Sequence, residues 1–338
     1  MKKIFFIGLA AVAVLASCSK DETIEVAGKQ AISFDSFVNL STKGAADDLT
    51  SETFRSFQVW GLMEKDGQTG TPFVGTEVKS ADGNSWSYDT PVYWENGYKY
   101  SFVAVAPSNS EAWTLNAPET VGTWGSINFT NGEGTTDLIY DVDGTYAVSP
   151  VELSENQCPA AISFTFNHLL SRVRFTFTNS MADNSTLNVT DVKVLNANNK
   201  AVATLGETAT WALAGDNAVT ELAFGNVILD EEAVNFASGE TKATDHKYMI
   251  PVMSEGQTYQ LSFKITRVHS GVTDEYNHIV NLPAVTWEAG SSYSFNATIS
   301  AANVNPDTQL CPIEFKASVE DWGEFGDDIK IPDSEDGE

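Results

Sequence analysis

Ala161 to Asn179 reads AISFTFNHLLSRVRFTFTN. Ile162, Phe164 and Phe166 alternate with Ser163 and Thr165, and further on Val173, Phe175 and Phe177 alternate with Arg172, Arg174, Thr176 and Thr178. A period of two is the mark of a strand with one face buried. Two such runs predict two strands, the second with a polar face toward water or another polar surface. The hinge between them, Asn167 to Ser171, contains neither Gly nor Pro. That argues against a tight hairpin, and for the last strand of one unit followed by the first strand of the next.

Working outward, the chain has 338 residues, enough for two domains with full cores. Nineteen Lys and Arg face 46 Asp and Glu, for a formal net charge of -27. Nucleic acid and anionic membrane surfaces are thereby excluded as expected partners. The acidity reads as a solvated surface suited to the outside of a cell.

At the start, Lys2 and Lys3 precede an apolar run, Ile4 to Ala16, that is short for a membrane span and reads as a secretory signal. It ends in Leu15-Ala16-Ser17-Cys18, which resembles the lipobox of bacterial lipoproteins, where the cysteine is acylated and becomes the mature N-terminus. Ser19-Lys20-Asp21-Glu22 resembles the signal that sends Bacteroidetes lipoproteins to the outer face of the outer membrane.

The body is expected to be all-β. Strand patterns recur about every ten residues between turn-like stretches such as Asp66 to Pro72 and Ala81 to Asn84, and no long amphipathic helix follows the signal. Ile32 and Phe34 mark a first strand, followed by a polar loop, Ser41 to Thr53, that contains Lys43. Pro91 to Pro107 reads as a hairpin turning at Glu95-Asn96-Gly97. Trp94-Glu-Asn-Gly-Tyr-Lys-Tyr100-Ser-Phe102 returns as Trp287-Glu-Ala-Gly-Ser-Ser-Tyr293-Ser-Phe295. One distant copy favours two domains built from similar hairpins over a repeat array. Trp113 to Asn131 reads as loops around a short strand, and the Asp- and Glu-rich end of the chain as an acidic tail.

Chemistry is sparse. His168, His246, His269 and His278 lack partners at diagnostic spacing, and no HExxH, paired-Cys, phosphate-loop or nucleophile-elbow motif occurs. No catalytic residue, metal site or cofactor is expected. Cys158 and Cys311 each precede a Pro and a strand pattern; a disulfide between them and two free thiols are both open readings. Of eight tryptophans, Trp113 and Trp124 fall outside the clear strand patterns and are the candidates for stacking on a sugar ring.

Several stretches together resemble the fimbrillin family, the lipoprotein pilins of Bacteroidetes. They are AISFDSFVNLSTKGA from Ala31, YWENGYKYSFVAVAP from Tyr93, DLIYD from Asp137, HLLSRVRFTF from His168, HKYMIPV from His246, LPAVTWEAGSSYSF from Leu282 and IEFKASVEDWG from Ile313. The likeness runs through the mature chain in family order. It implies two transthyretin-like β-sandwich domains in tandem: a signal peptide at 1–17, a lipidated tether at 18–29, domains at 30–166 and 167–323, and a tail at 324–338.

The resemblance also implies a structural pilus subunit with a role in adhesion. Such a subunit crosses the envelope as a lipoprotein through Cys18, stands on the outer membrane, and is cut by a trypsin-like protease beyond its first strand. The position matching that cut is Lys43, with Arg55 as the alternative. Loss of the strand opens a groove for a strand from another fimbrillin subunit. Ile313, Phe315, Ala317 and Val319, followed by Ile329 and Ile331 in the tail, form the expected donor region; the alternative is that Ile313 to Val319 is the second domain's own last strand, which leaves only Gly323 to Glu338 and suits a tip subunit that accepts but never donates. The other function classes are a monomeric surface glycan-binding lipoprotein, which Trp113 and Trp124 would serve, and an uncut anchor subunit.

Overall fold

A computed structural model describes residues 30–38, 49–50, 53–147, 161–230, 233–308 and 311–322. These residues fold into four β-sheets in sandwich-like layers. Among them the two runs of the 161–179 stretch become β9 (Ile162–His168) and β10 (Ser171–Asn179), which enter different sheets. Only Leu169 and Leu170 separate them, and both are fully buried.

The largest sheet has seven strands in the order β1 (Phe34–Val38), β9, β8 (Ile139–Ala147), β5 (Lys99–Ala106), β2 (Ser56–Lys65), β3 (Gln68–Ser80) and β4 (Trp86–Ser87). β2 and β3 form a hairpin that turns on Asp66 and Gly67 alone, both at positive φ. The expected loop from Asp66 to Pro72 is therefore mostly strand. β5 lies in the middle and is buried on both faces, which is why KYSFVAVA does not alternate. Tyr100, Phe102, Ala104 and Ala106 join one core, while Val103 and Val105 join another. The sheet rolls until its first strand meets the chain between β4 and β5. There Ile32 N–H donates to Val92 O at 2.8 Å, Trp94 N–H donates to Gln30 O at 3.1 Å, and Ala31 bridges Tyr93.

That bridge corrects the expected hairpin at Pro91 to Pro107. The arm before Gly97 pairs with the segment ahead of β1 instead of with β5. What the repeated motif builds is a clasp. Glu95 N–H donates to the Tyr100 hydroxyl and Glu288 N–H to the Tyr293 hydroxyl, each at 2.8 Å. The Trp and Tyr rings lie 4.8 Å apart in the first copy and 4.7 Å in the second. Gly97 and Gly290 sit at φ 83° and 70°, where a side chain would be strained. The clasp leads into β5 in one half and into β19 (Ser291–Ile299) in the other.

The second half packs two sheets face to face. One has β10 beside β19, with β20 (Phe315–Asp321) on its far side and β15 (Thr241–Ala243) and β16 (Lys247–Met249) pairing with β10. The other runs β14 (Val219–Gly225), β11 (Thr186–Asn198), β17 (Gln260–His269) and β18 (Val272–Asn281). Phe175, Phe177 and Phe295 meet Val189, Phe224 and Phe263 between them.

The fourth sheet takes strands from both halves. β6 (Trp113–Asn116) and β7 (Ser126–Thr130) come from before the 161–179 stretch, β12 (Lys200–Thr204) and β13 (Thr210–Leu213) from after it. β7 pairs with β12, placing Ala201 beside Phe129 and Ala203 beside Ile127. This sheet covers Val103 and Val105 and closes a core that also holds Leu169, Leu170, Tyr248 and Trp322. The region expected to be loops around one strand, Trp113 to Asn131, thus holds two paired strands.

Candidate functional site

The first strand stands at the margin of the rolled sheet, parallel to β9, with Phe34 beside Ile162, Ser36 beside Phe164 and Val38 beside Phe166. Ile32 and Phe34 are 1% and 3% exposed. The Phe34 ring lies 5.3 to 6.2 Å from the rings of Phe57, Phe73, Tyr88, Phe102 and Phe164, four of them edge-on and Phe164 stacked. One side chain of a five-residue strand therefore sits at the centre of the aromatic core. Burying a side chain of this size contributes roughly 1.5 to 3 kcal/mol, with edge-on ring contacts adding to it. The Tyr88 hydroxyl donates to Ile32 O at 2.6 Å and clamps the strand from the other side.

The next described residues after the strand are held by separate contacts. Leu49 N–H donates to Asp137 Oδ2 at 2.9 Å, and Asp137 Oδ1 lies 2.9 Å from His168 Nδ1. Thr50 and Thr53 cap a turn, and Phe54 packs on Phe57, Trp86 and Phe166. The strand and the Leu49–Phe54 segment are thus attached independently, on either side of the stretch that contains Lys43. On the far side of β9, regular pairing with β8 stops after Tyr140, and Asp141 Oδ2 accepts Thr165 N–H at 2.7 Å in its place. Burial pushes the Asp141 carboxyl up to about 6.

Cys18, Lys43 and Cys158 lie outside the described residues. Arg55 precedes β2; its side chain donates to Phe54 O at 2.6 Å and its carbonyl accepts Ser80 N–H at 2.9 Å. Trp113 is buried in β6, packs edge-on against Trp60 and donates its indole N–H to Pro107 O, so no open face is left for a sugar. Trp124 is half-buried against the same core. Cys311 is an exposed free thiol.

Two further expectations are corrected. Ile313 to Val319, expected as donor, is committed to its own domain: Ile313 and Phe315 are buried in the second core and β20 is bonded to β19. Arg172, expected on a polar face, is 1% exposed, with its guanidinium 5.2 Å from the Trp322 ring. Tyr88 and Asp137 were not singled out from the sequence, because nothing local marks a tyrosine or aspartate whose partners lie 56 and 88 residues away.

No group of three or more His, Cys, Asp or Glu side chains among the described residues is placed to hold a metal. The geometry is that of a strand seated in a groove.

The profile of the family described as Fimbrillin-like matches residues 19–322. The chain belongs to the fimbrillin-like family. Fimbrillin-like proteins are structural and non-catalytic, and membership implies assembly with other fimbrillin subunits at the outer surface of the cell. The fold resembles that of a fimbrial protein from Bacteroides vulgatus ATCC 8482, with a TM-score of 0.61 at 18% identity, covering 86% of this fimbrillin-like chain and 99% of the other. A candidate cell adhesion protein from Bacteroides ovatus ATCC 8483 is 14% identical, with a TM-score of 0.49 over 87% of this chain and 98% of its own. Another, from Bacteroides uniformis ATCC 8492, is 18% identical, with a TM-score of 0.46 over 86% and 98%. At 18% identity the likeness to the Bacteroides vulgatus protein is one of fold. No curated protein matches the chain at a significant level.

Proposed function

We propose that this fimbrillin-like protein is a pilus subunit that matures by losing β1 and polymerises by accepting a strand from a neighbouring subunit. It is exported as a lipoprotein acylated on Cys18 and held at the outer membrane, with two transthyretin-like units at 30–166 and 167–323. A trypsin-like protease cuts after Lys43, and the freed subunit joins a fimbrium that serves adhesion.

The observation that carries this reading is the seating of β1. A five-residue strand at the sheet margin fills the centre of the aromatic core, while the chain beyond residues 39–48 is anchored elsewhere, by Leu49 on Asp137 and Phe54 in the core. A cut between the two anchors releases the strand and leaves the groove walls standing. The emptied groove exposes aromatic surface and a row of unpaired backbone groups on β9, which an extended segment from another chain satisfies. Arg55 has less support as the cut site, since its carbonyl is bonded to Ser80 and it lies beyond the second anchor. With β20 engaged, the segment left to donate from this chain is the tail beyond Trp322. The glycan-binding alternative is weakened by the covered Trp113 ring.

N-terminal sequencing of protein sheared from the cell surface tests the reading. A sequence beginning at Gly44 is the expected result. A blocked N-terminus on all of the sheared, multimeric material, meaning an intact Cys18 end, would overturn it.

A further inference from the structure

The inward row formed by β1 and the residues just ahead of it is not uniform. Ile32 and Phe34 fill their sites, but the next inward residue is Ser36, 8% exposed beside Phe164, and its hydroxyl has no hydrogen-bond partner among the described residues. Across from it the inward row of β9 is Ile162, Phe164 and Phe166, all fully buried. Outward-facing Asp35 confirms that the alternation holds and that the Ser36 side chain points into the core. A hydroxyl confined among aromatic rings loses its bonds to water and gains nothing in return. The third site of the groove is therefore apolar in character and poorly filled by its own strand.

From this mismatch we infer that Ser36 is a specificity-determining position: the groove prefers an incoming strand that presents a small apolar side chain opposite Phe164. The inference rests on reading β1 as the exchanged strand, and it names the chemistry of the partner, an extended segment of a neighbouring subunit with apolar residues at three successive inward positions. β1 binds well at two sites and badly at the third. It holds the precursor closed, yet an apolar third residue outcompetes it, which gives strand replacement a direction.

Two measurements test this separately. In the uncut chain, Ser36→Ala removes only the orphaned hydroxyl, so its thermal midpoint is expected to rise by about 2 to 6 °C. Ser36→Thr keeps the hydroxyl and adds a methyl, and is expected to give no rise. A fall or no change in Ser36→Ala would overturn the inference whatever the pilus does. In the second measurement, protein cut by trypsin at Lys43 is titrated with labelled peptides of the Gln30–Val38 sequence carrying Ser, Ala or Asp at the Ser36 position. The Ala peptide is expected to bind about tenfold more tightly than the Ser peptide and the Asp peptide hardly at all. Equal binding of all three would overturn the site preference. Binding of none would count against strand acceptance itself, and the thermal comparison would still decide the question of Ser36.

Discussion

Asp141 shows how one carboxylate can stand in for backbone. Where β8 stops pairing with β9, its Oδ2 takes the Thr165 N–H, and burial raises its pKa from 3.8 to about 6, with Asp143 nearby acting in the same direction. A raised carboxyl favours the protonated form in the folded state. The stability it contributes is complete below the unfolded value near 3.8 and is lost as pH rises through about 6. Asp141→Asn keeps an acceptor for Thr165 without the charge. Its thermal midpoint is expected to exceed that of the parent at pH 7.5 and to match it at pH 4, and a uniform loss at both would mean that the amide cannot replace the carboxylate. Little of this was legible beforehand. The sequence shows the acidic pair Asp141 and Asp143 but not the neighbouring strand that needs an acceptor. His168, whose lack of a partner at diagnostic spacing is plain in the sequence, lies flat on Trp322 at 4.0 Å with Nδ1 2.9 Å from Asp137 Oδ1, a structural setting.

Among the elements, the Trp-Glu-Gly-Tyr clasp is the one the sequence displayed most openly and named least well. Repetition announced a shared device, yet both copies were assigned to hairpins, since a turn flanked by aromatics is ambiguous until the partners of the first arm are known. Its essential contact is a tyrosine hydroxyl accepting a backbone N–H two residues before the positive-φ glycine. Tyr100→Phe is expected to destabilise the protein by about 1 kcal/mol, the usual worth of such a bond. In Tyr293→Phe the lost hydroxyl accepts Glu288 N–H and donates to Thr286 O, each at 2.8 Å, and the variant is expected to lose about 2 kcal/mol. Denaturant midpoints of the two variants check these losses, and an unchanged midpoint in either would contradict the reading of the clasp. Strands buried on one side, β9 and β10, were plain from alternation. β6 and β13 were not, because four residues, WTLN in one and TWAL in the other, give a period too little length to show.

For the whole molecule, the shared sheet decides how the halves behave. Ile127 and Phe129 on β7 are flanked in the same core by Ala203 and Ala201 of β12, which belongs to the second half of the chain. Trp322, at the end of β20, is stacked on His168 and Tyr248 at the junction. A fragment ending at Phe166 lacks these contacts and is expected to expose apolar surface, to bind a hydrophobic dye and to aggregate, whereas the full chain is expected to melt in a single calorimetric transition. Two well-separated transitions in the full chain would show that the fourth sheet couples the halves only weakly. Pairing between β7 and β12 could not be foreseen from sequence, because it joins segments some seventy residues apart that carry no mark of their partner.

The small residues on β12 have a consequence for how such proteins can diversify. Ala201 and Ala203 leave room for the bulk of Phe129 and Ile127, so the seam between the halves is a lock cut for one key. Recombination that brings in a foreign second half with larger residues at those two places meets a steric barrier at once, while changes in outward-facing loops meet none. A larger residue at Ala201 or Ala203 is expected to crowd Phe129 or Ile127, so the two halves are expected to tolerate exchange only as a pair.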